Sequence, residues 1–77
     1  MEMFTVALPT TGWDQDDQSA LVEQRIDDET FLSVDIIERS PSFGAAARYS
    51  VRHAVVVRYA DNTEVRNVSP REITIVA

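Results

Sequence analysis

Apolar and polar side chains alternate most regularly over residues 45–60. Successive side chains of a strand point to opposite faces, so this period of two predicts a long strand with one apolar face and one arginine-bearing face. A strand of this length is expected to bend sharply, as long strands of small closed barrels do. The apolar face is predicted to carry Ala45, Ala47, Tyr49, Val51, His53, Val55, Val57 and Tyr59, and the opposite face Ala46, Arg48, Ser50, Arg52, Ala54, Val56, Arg58 and Ala60.

Asp61-Asn62 ends this stretch and predicts a tight turn into a further strand. A three-residue loop would pair Tyr59 with Val65, apolar against apolar, whereas a two-residue loop would set Val65 opposite Arg58. We favour the three-residue loop, since asparagine tolerates a positive φ better than most non-glycine residues do.

A helix-start signal follows at Ser69–Glu72. Serine at the N-cap, proline at the first helical position and glutamate at the third form a capping box with a preset φ. Thr74, Ile75 and Val76 then favour a strand. The sequence therefore predicts one turn of 3₁₀ helix and a closing strand from Ile73 to Val76.

The order strand, tight turn, strand, 3₁₀ turn and short strand resembles the last part of SH3-like and Tudor-like barrels. The resemblance rests on residues 55–62 (VVVRYADN), on Val65 and Val68, and on Ser69–Ile73. Those families commonly have Asp-Gly at the turn, where this chain has Asp-Asn. The resemblance covers roughly the last 25 residues and implies an architecture rather than an activity.

The N-terminal half contains two further alternating segments. Phe4, Val6 and Leu8 alternate with other residues and predict a first strand that Pro9 ends. In Thr30–Arg39, Leu32, Val34 and Ile36 alternate with Ser33 and Asp35, which predicts another strand.

Residues 15–26 allow two interpretations. Asp14 could cap a short helix with Val22 and Ile26 on one face, which would give an α+β fold. Alternatively, a strand over 20–26 turns back through Asp27–Glu29, and its apolar positions then coincide with those of the next strand. We favour this hairpin, which pairs Ala20 with Ile36, Val22 with Val34, Gln24 with Leu32 and Ile26 with Thr30.

The length and composition fit one small domain, residues 1–77. We expect an all-β fold, a small antiparallel SH3-like barrel with a single 3₁₀ turn. With no cysteine, the chain has no disulfide and no thiolate metal site. Such a small core makes a homodimer or a bound partner a natural supplement. Met1–Gly12 lacks a basic start, and no apolar run could cross a membrane, so we expect a cytoplasmic protein without membrane contacts.

The net charge is −6, and it is unevenly distributed. Residues 1–44 hold ten acids and two arginines (−8), whereas residues 45–77 hold three acids and five arginines (+2). Lysine is absent, which fits either a GC-rich genome or a salt-adapted proteome. A phosphate backbone would be repelled by the acidic segment, so direct nucleic-acid binding is not favoured.

The acidic residues are the main candidates for partner binding, because an acidic surface speeds association with a basic protein. Trp13 lies next to the first acidic group (Asp14, Asp16 and Asp17) and is either a lid on the core or an interface anchor. The candidate partner-binding residues are Trp13, Asp14, Asp16, Asp17, Asp27, Asp28 and Glu29.

The sequence offers little for catalysis or for cofactor binding. An EF-hand starting at Asp14 would have Ser19 where glycine is needed and Arg25 where glutamate is needed, so no metal site is predicted. The two glycines allow no phosphate-binding loop of the familiar kinds. His53 is the single histidine and is expected to pack rather than act as a base. We expect no enzyme activity and no cofactor.

A lysine-free acidic chain of this size resembles small inhibitors that phages and mobile elements encode, anti-CRISPR proteins among them. The resemblance implies an inhibitor that binds a basic, nucleic-acid-handling protein. The alternative is an SH3- or Tudor-like adaptor that binds a peptide or nucleic acid through aromatic residues and an arginine face. That adaptor would use Trp13, Phe31, Phe43, Tyr49, Tyr59, Arg48, Arg52, Arg58 and Arg66.

Overall fold

The computed structural model describes residues 3–39, 48–58 and 63–76. Within these residues the chain forms strands and one 3₁₀ turn, without an α-helix, which confirms the predicted all-β class. Residues 15–26 accordingly contain a turn and a strand rather than a helix. The elements are β1 (Phe4–Ala7), β2 (Ser19–Arg25), β3 (Thr30–Arg39), β4 (Arg48–Arg58), β5 (Val65–Asn67), the 3₁₀ turn (Pro70–Glu72) and β6 (Ile73–Val76).

The strands form two sheets rather than a closed barrel. Four antiparallel strands lie in the order β2-β3-β4-β5, while β1 and β6 form a separate parallel pair. Closure would need a backbone ladder between β1 and the four-stranded sheet. Among the described residues the connection is instead a side-chain hydrogen bond, from Gln24 Nε2 to the carbonyl oxygen of Thr5 at 2.9 Å. The predicted barrel closure is therefore wrong, and one parallel pair joins a mostly antiparallel fold.

The hairpin of β2 and β3 has the predicted register. Val22 lies opposite Val34, and Gln24 lies opposite Leu32. The even-numbered positions face the core, where Leu32, Val34 and Ile36 are fully buried. The apolar period of the two strands fixes this register, because a slip by one residue would expose the whole apolar set.

Strand β4 contains a bulge that changes which side chains face the core. Asp35 pairs with His53 and Ile36 pairs with Val51, so Arg52 has no opposite residue in β3. Two residues of β4 thus lie opposite a single residue of β3. Beyond this point the even-numbered side chains of β4, rather than the odd-numbered ones, face the core. Ala54 is consequently buried, whereas His53 is exposed.

The predicted faces of β4 are therefore wrong from His53 onwards. Tyr49 and Val51 pack against the core as expected, but Ala54 and Val56 replace the odd-numbered residues there. The cause lies in residues 54–57, which are apolar at every position and cannot specify a face by their composition. The bulge then decides which of them face inwards.

The register of β5 also differs from the prediction. Val65 lies opposite Val57 rather than Tyr59. The pairing still matches apolar with apolar, and next to it the N–H of Arg58 donates to the carbonyl oxygen of Glu64 at 3.1 Å. The predicted turn residues 61–62 lie outside the described residues.

The predicted 3₁₀ turn and closing strand are confirmed. Ser69 Oγ accepts a hydrogen bond from the Arg71 N–H at 3.3 Å, and Glu72 Oε2 accepts one from the Ser69 N–H at 3.1 Å. This capping box satisfies backbone donors that a single turn cannot satisfy internally. Glu72 also lies 3.6 Å from the Arg66 guanidinium, which connects the turn to β5.

The core lies between the inner face of the four-stranded sheet and the β1–β6 pair. Strand β1 contributes two buried side chains, Phe4 and Val6, while Ile73 and Ile75 of β6 pack beside them. The opposite, outer face of the sheet carries partly or fully exposed side chains. The buried set is Phe4, Val6, Leu32, Val34, Ile36, Ala54, Val56 and Val68.

Candidate functional site

The first acidic group lies in the loop between β1 and β2, at one end of the sheet. Trp13 packs against the core, and its ring centroid lies 5.6 Å from that of Tyr49 with 33° between the ring planes. Gly12 precedes it with a φ of 88°, a left-handed conformation that glycine adopts without strain. This position favours the interpretation of Trp13 as a lid on the core over the interpretation as an interface anchor. The ring attaches the acidic loop to the fold.

The loop is ordered by its own carboxylates. Asp14 Oδ1 accepts hydrogen bonds from the backbone N–H groups of Asp16 at 2.7 Å and Asp17 at 3.2 Å. Asp17 Oδ1 in turn accepts from the backbone N–H of Ser19 at 3.1 Å and from its hydroxyl at 2.7 Å. Short polar side chains commonly stabilise turns in this way. The backbone path of the loop is therefore set while its carboxylates stay exposed.

Arg52 connects this loop to the sheet. Its guanidinium Nη1 lies 3.3 Å from Asp17 Oδ2 and 3.5 Å from Asp35 Oδ2. The bulge in β4 leaves Arg52 without an opposite residue in β3, and its side chain reaches both carboxylates. Because these side chains are substantially exposed, the ion pairs are screened by water and orient the loop more than they stabilise the fold.

The hydrogen bonds of this loop change the acidity of Asp17. The Ser19 hydroxyl is the main cause that holds the pKa of Asp17 below its usual range, and the Ser19 N–H and the Arg52 guanidinium lower it further. A partial loss of hydration opposes this change. Hydrogen bonds and positive charges favour the ionised carboxylate, which explains the direction.

Replacing Ser19 with alanine is expected to raise the pKa of Asp17 towards its usual value, because the hydroxyl donor is lost. The pKa of Asp17 is lower in the folded chain than in the unfolded chain. Its contribution to stability is therefore complete above the unfolded-state pKa and is lost as the pH falls through the folded-state pKa. Carboxyl-carbon NMR titration of both proteins measures the change. An unaltered Asp17 titration in Ser19→Ala would contradict the assignment.

The second acidic group (Asp27, Asp28 and Glu29) lies in the turn between β2 and β3, at the other end of β2. Asp27 Oδ1 accepts a hydrogen bond from the Glu29 N–H at 2.8 Å, and this bond is the main cause that lowers the pKa of Asp27. Strand β2 has seven residues. At about 3.3 Å per residue, the two acidic groups lie roughly 20 Å apart. They do not form one continuous patch, and β2 runs between them.

The arginines predicted to form a binding face are engaged with acids. Arg58 lies 3.9 Å from Glu64, while Arg52 and Arg66 form the ion pairs given above. The Arg48 side chain lies outside the described part of the chain. The ion pairs reduce the positive charge that a phosphate group would meet.

The predicted aromatic cluster is only partly assembled. Trp13 and Tyr49 contact each other, but Phe31 lies on the outer face of the sheet, opposite Val57. Phe43 and Tyr59 fall outside the described residues. The expected packing of His53 is wrong, because the bulge leaves its side chain exposed.

Two features were not anticipated from the sequence. One is an open apolar groove of about 350 Å³ beside β4, lined by Tyr49, Ser50, Val51, Pro70, Ile73 and Ile75. The other is the free edge of β2, where Leu21 is 67% exposed. Both depend on how distant segments pack, and the order of the strands in the sheet is not visible in local patterns.

Three further observations bear on the class of function. In the described ranges, no group of three or more histidine, aspartate or glutamate side chains is placed to hold a metal ion. No helix of residues 3–39, 48–58 and 63–76 has the length and apolar character to span a membrane. Comparison with protein-family models, curated proteins and solved structures returns no match. The function is therefore inferred from the geometry of this chain.

Proposed function

We propose that this chain is a non-catalytic, cytoplasmic protein-binding module that engages a basic, nucleic-acid-handling partner through its acidic groups. The observation that carries the proposal is the ordered loop at Asp14–Asp17. Its turn is already closed by hydrogen bonds within the loop, so binding would not have to order the backbone.

Asp16 illustrates what the loop offers to a partner. Its side chain is exposed, and its carboxylate takes part in no hydrogen bond or ion pair with another described residue. Asp14 and Asp17 hold the turn on either side of it. A cationic group of a partner could therefore approach Asp16 without displacing an existing contact, and the net charge of −6 would speed that approach.

An acidic module of this kind could occupy the nucleic-acid site of its partner by resembling a chain of phosphates in charge. The similarity in size and charge to phage-encoded inhibitors such as anti-CRISPR proteins supports this form of the proposal. The order of β4, β5, the 3₁₀ turn and β6 supports a more distant architectural relation to SH3-like barrels.

Neutralising Asp14, Asp16 and Asp17 together as asparagine is expected to weaken partner binding by about tenfold or more. Asparagine keeps the Oδ1 acceptor of each turn, so the loop should retain its shape while the net charge changes from −6 to −3. The measurement is affinity capture from a GC-rich bacterial lysate, with and without nuclease, followed by titration of the captured protein against each variant.

The matched control changes the charge equally at other places. Thr5, Thr63 and Thr74 are exposed, and changing all three to lysine also gives a net charge of −3. This control should bind within about twofold of the wild type if the location of the charge matters. Equal losses in the two triple variants would show that net charge alone governs binding and would remove the loop from the interface.

The apolar groove supports a second candidate function, an SH3- or Tudor-like adaptor. The groove lies beside the ring pair of Trp13 and Tyr49 and could accept an extended peptide. The same capture experiment separates the two functions. A partner that is competed off by DNA and is held after nuclease treatment supports the inhibitor. A partner that is lost with nuclease treatment supports an adaptor that binds nucleic acid, and a partner that is held after nuclease treatment but is not competed off by DNA supports an adaptor that binds a peptide.

A further inference from the structure

The backbone of β2 has hydrogen-bonding groups that point away from the sheet. The Ile26 N–H donates to Thr30 O at 2.9 Å and the Glu38 N–H donates to Gln18 O at 2.9 Å. In an antiparallel ladder the bonded pairs alternate, so the even-numbered residues of β2 bond to β3. The N–H and C=O groups of the odd-numbered residues point to the opposite edge.

Among the described residues, this edge has no neighbouring strand from Leu21 to Arg25. At Ser19 the backbone is occupied, because its N–H donates to Asp17 and its carbonyl oxygen accepts from Asp14. At Leu21, Glu23 and Arg25, no other described element supplies a backbone hydrogen bond. An exposed strand edge of this kind is a template for one more strand.

Several of the features that usually protect an edge are missing from β2, whose charged residues are Glu23 and Arg25. It is seven residues long, and it contains no proline, lysine or bulge. The opposite edge of the sheet is formed by β5, which has three residues. A short edge strand is itself a protective device, so β2 is the better docking edge of the two.

The charge around the edge indicates which kind of strand could dock. Glu23 lies in its middle, and the two acidic groups lie at its two ends, roughly 20 Å apart. An extended segment of about seven residues has the same length, so it could reach both groups while it pairs with β2. Arg25 is the single cation of this strand.

We propose that β2 accepts an extended basic segment of a protein partner as an added strand, with its cationic side chains on the two acidic groups. This inference rests on the proposed function and specifies the partner's chemistry. Backbone hydrogen bonds to Leu21, Glu23 and Arg25 would supply affinity, and the acids would supply the preference for a basic segment.

A second copy of this chain is the competing occupant, and its charge argues against it. Antiparallel pairing of two β2 strands would bring the Asp14–Asp17 loop of one copy beside the Asp27–Glu29 turn of the other. Like charges in close apposition disfavour such a pair. The same acids that attract a basic segment therefore oppose self-association.

The test uses a synthetic peptide of about nine residues, with two arginines at each end, one in the middle and threonine or valine between them. Its matched control has the same sequence with N-methyl groups on alternate residues, which keeps the charge and prevents ladder formation. We expect the unmethylated peptide to bind at least about tenfold more tightly. We also expect it to slow hydrogen exchange of the Leu21, Glu23 and Arg25 amides.

A variant of the protein gives an independent measurement. Glu23→Pro removes an outward N–H but none of the β2–β3 hydrogen bonds, and Glu23→Thr removes the same charge while it keeps the N–H. Peptide binding should be about tenfold weaker in Glu23→Pro than in Glu23→Thr. If Glu23→Pro does not fold, the exchange measurement on the wild type still decides.

Four results would overturn this inference. They are equal binding of the methylated and unmethylated peptides, no binding of either peptide, unchanged exchange at the three edge amides, and a stable β2–β2 dimer of the free protein. Equal binding of the two peptides would leave the proposed function standing, because it would show attraction by charge without strand addition. Failure of the proposed function would appear separately, in the triple asparagine variant.

Discussion

Replacing Leu32 with alanine is expected to unfold most of the protein. Leu32 has no exposed surface and lies in the middle of the inner face, opposite Gln24 and Val56. Truncating a buried leucine costs about 2–5 kcal/mol, since transfer free energy is lost and a cavity is left. A chain of this size rarely gains more than about 3–5 kcal/mol from its core. The measurement is the free energy of unfolding in urea, followed by circular dichroism.

Leu21 supplies a control of the same residue type. It is 67% exposed on the neighbouring strand, so Leu21→Ala should change the free energy of unfolding by no more than about 0.5 kcal/mol. The comparison holds the chemical change constant and varies burial alone. Similar unfolding midpoints for Leu32→Ala and Leu21→Ala would mean that the inner face is not the core.

Local chemistry explains which elements were predictable from the sequence. The β2–β3 hairpin has an apolar residue at alternate positions of both strands, so one register buries them all. The 3₁₀ turn is specified by three neighbouring residues, Ser69, Pro70 and Glu72, whose hydrogen bonds are local. Both predictions needed no knowledge of the rest of the chain.

Long-range pairing explains the elements that were not predictable. Strands β1 and β6 have four residues each, and their parallel pairing joins the two ends of the described chain. Nothing in their patterns indicates whether β1 also forms a ladder with β2, so barrel closure could not be decided. The sequence pattern does not predict the bulge at Arg52 either, because residues 54–57 are apolar at every position.

The candidate site shows the same division. The acids can be identified from the sequence. Asp14 and Asp17 are also of a residue type whose side chain commonly accepts hydrogen bonds from the backbone of a turn. That the acids lie at the two ends of β2 can be predicted only after the hairpin has been identified. The contact of Arg52 with Asp17 joins residues 35 positions apart and lies at the irregularity of the sheet, so local patterns do not predict it.

Replacing Ala54 with arginine is the sharpest test of that irregularity. Ala54 is 2% exposed and pairs with Val34, so a long charged side chain would have to enter the core. Overpacking costs about 1–3 kcal/mol, and burial of an unpaired charge adds more, so we expect a loss above about 3 kcal/mol. Chemical denaturation of the variant measures this loss.

The same substitution at the adjacent residue, His53, is expected to have little effect on stability. His53 is exposed on the outer face, so His53→Arg should shift the free energy of unfolding by at most about 0.5 kcal/mol. An uninterrupted alternation of β4 from Tyr49 onwards would require the opposite order, with Ala54 facing solvent and His53 facing the core. A stable Ala54→Arg beside an unfolded His53→Arg would therefore place the whole second half of β4 on the other face. The two substitutions differ by one position along the strand, and their order of stability reports whether the bulge forms.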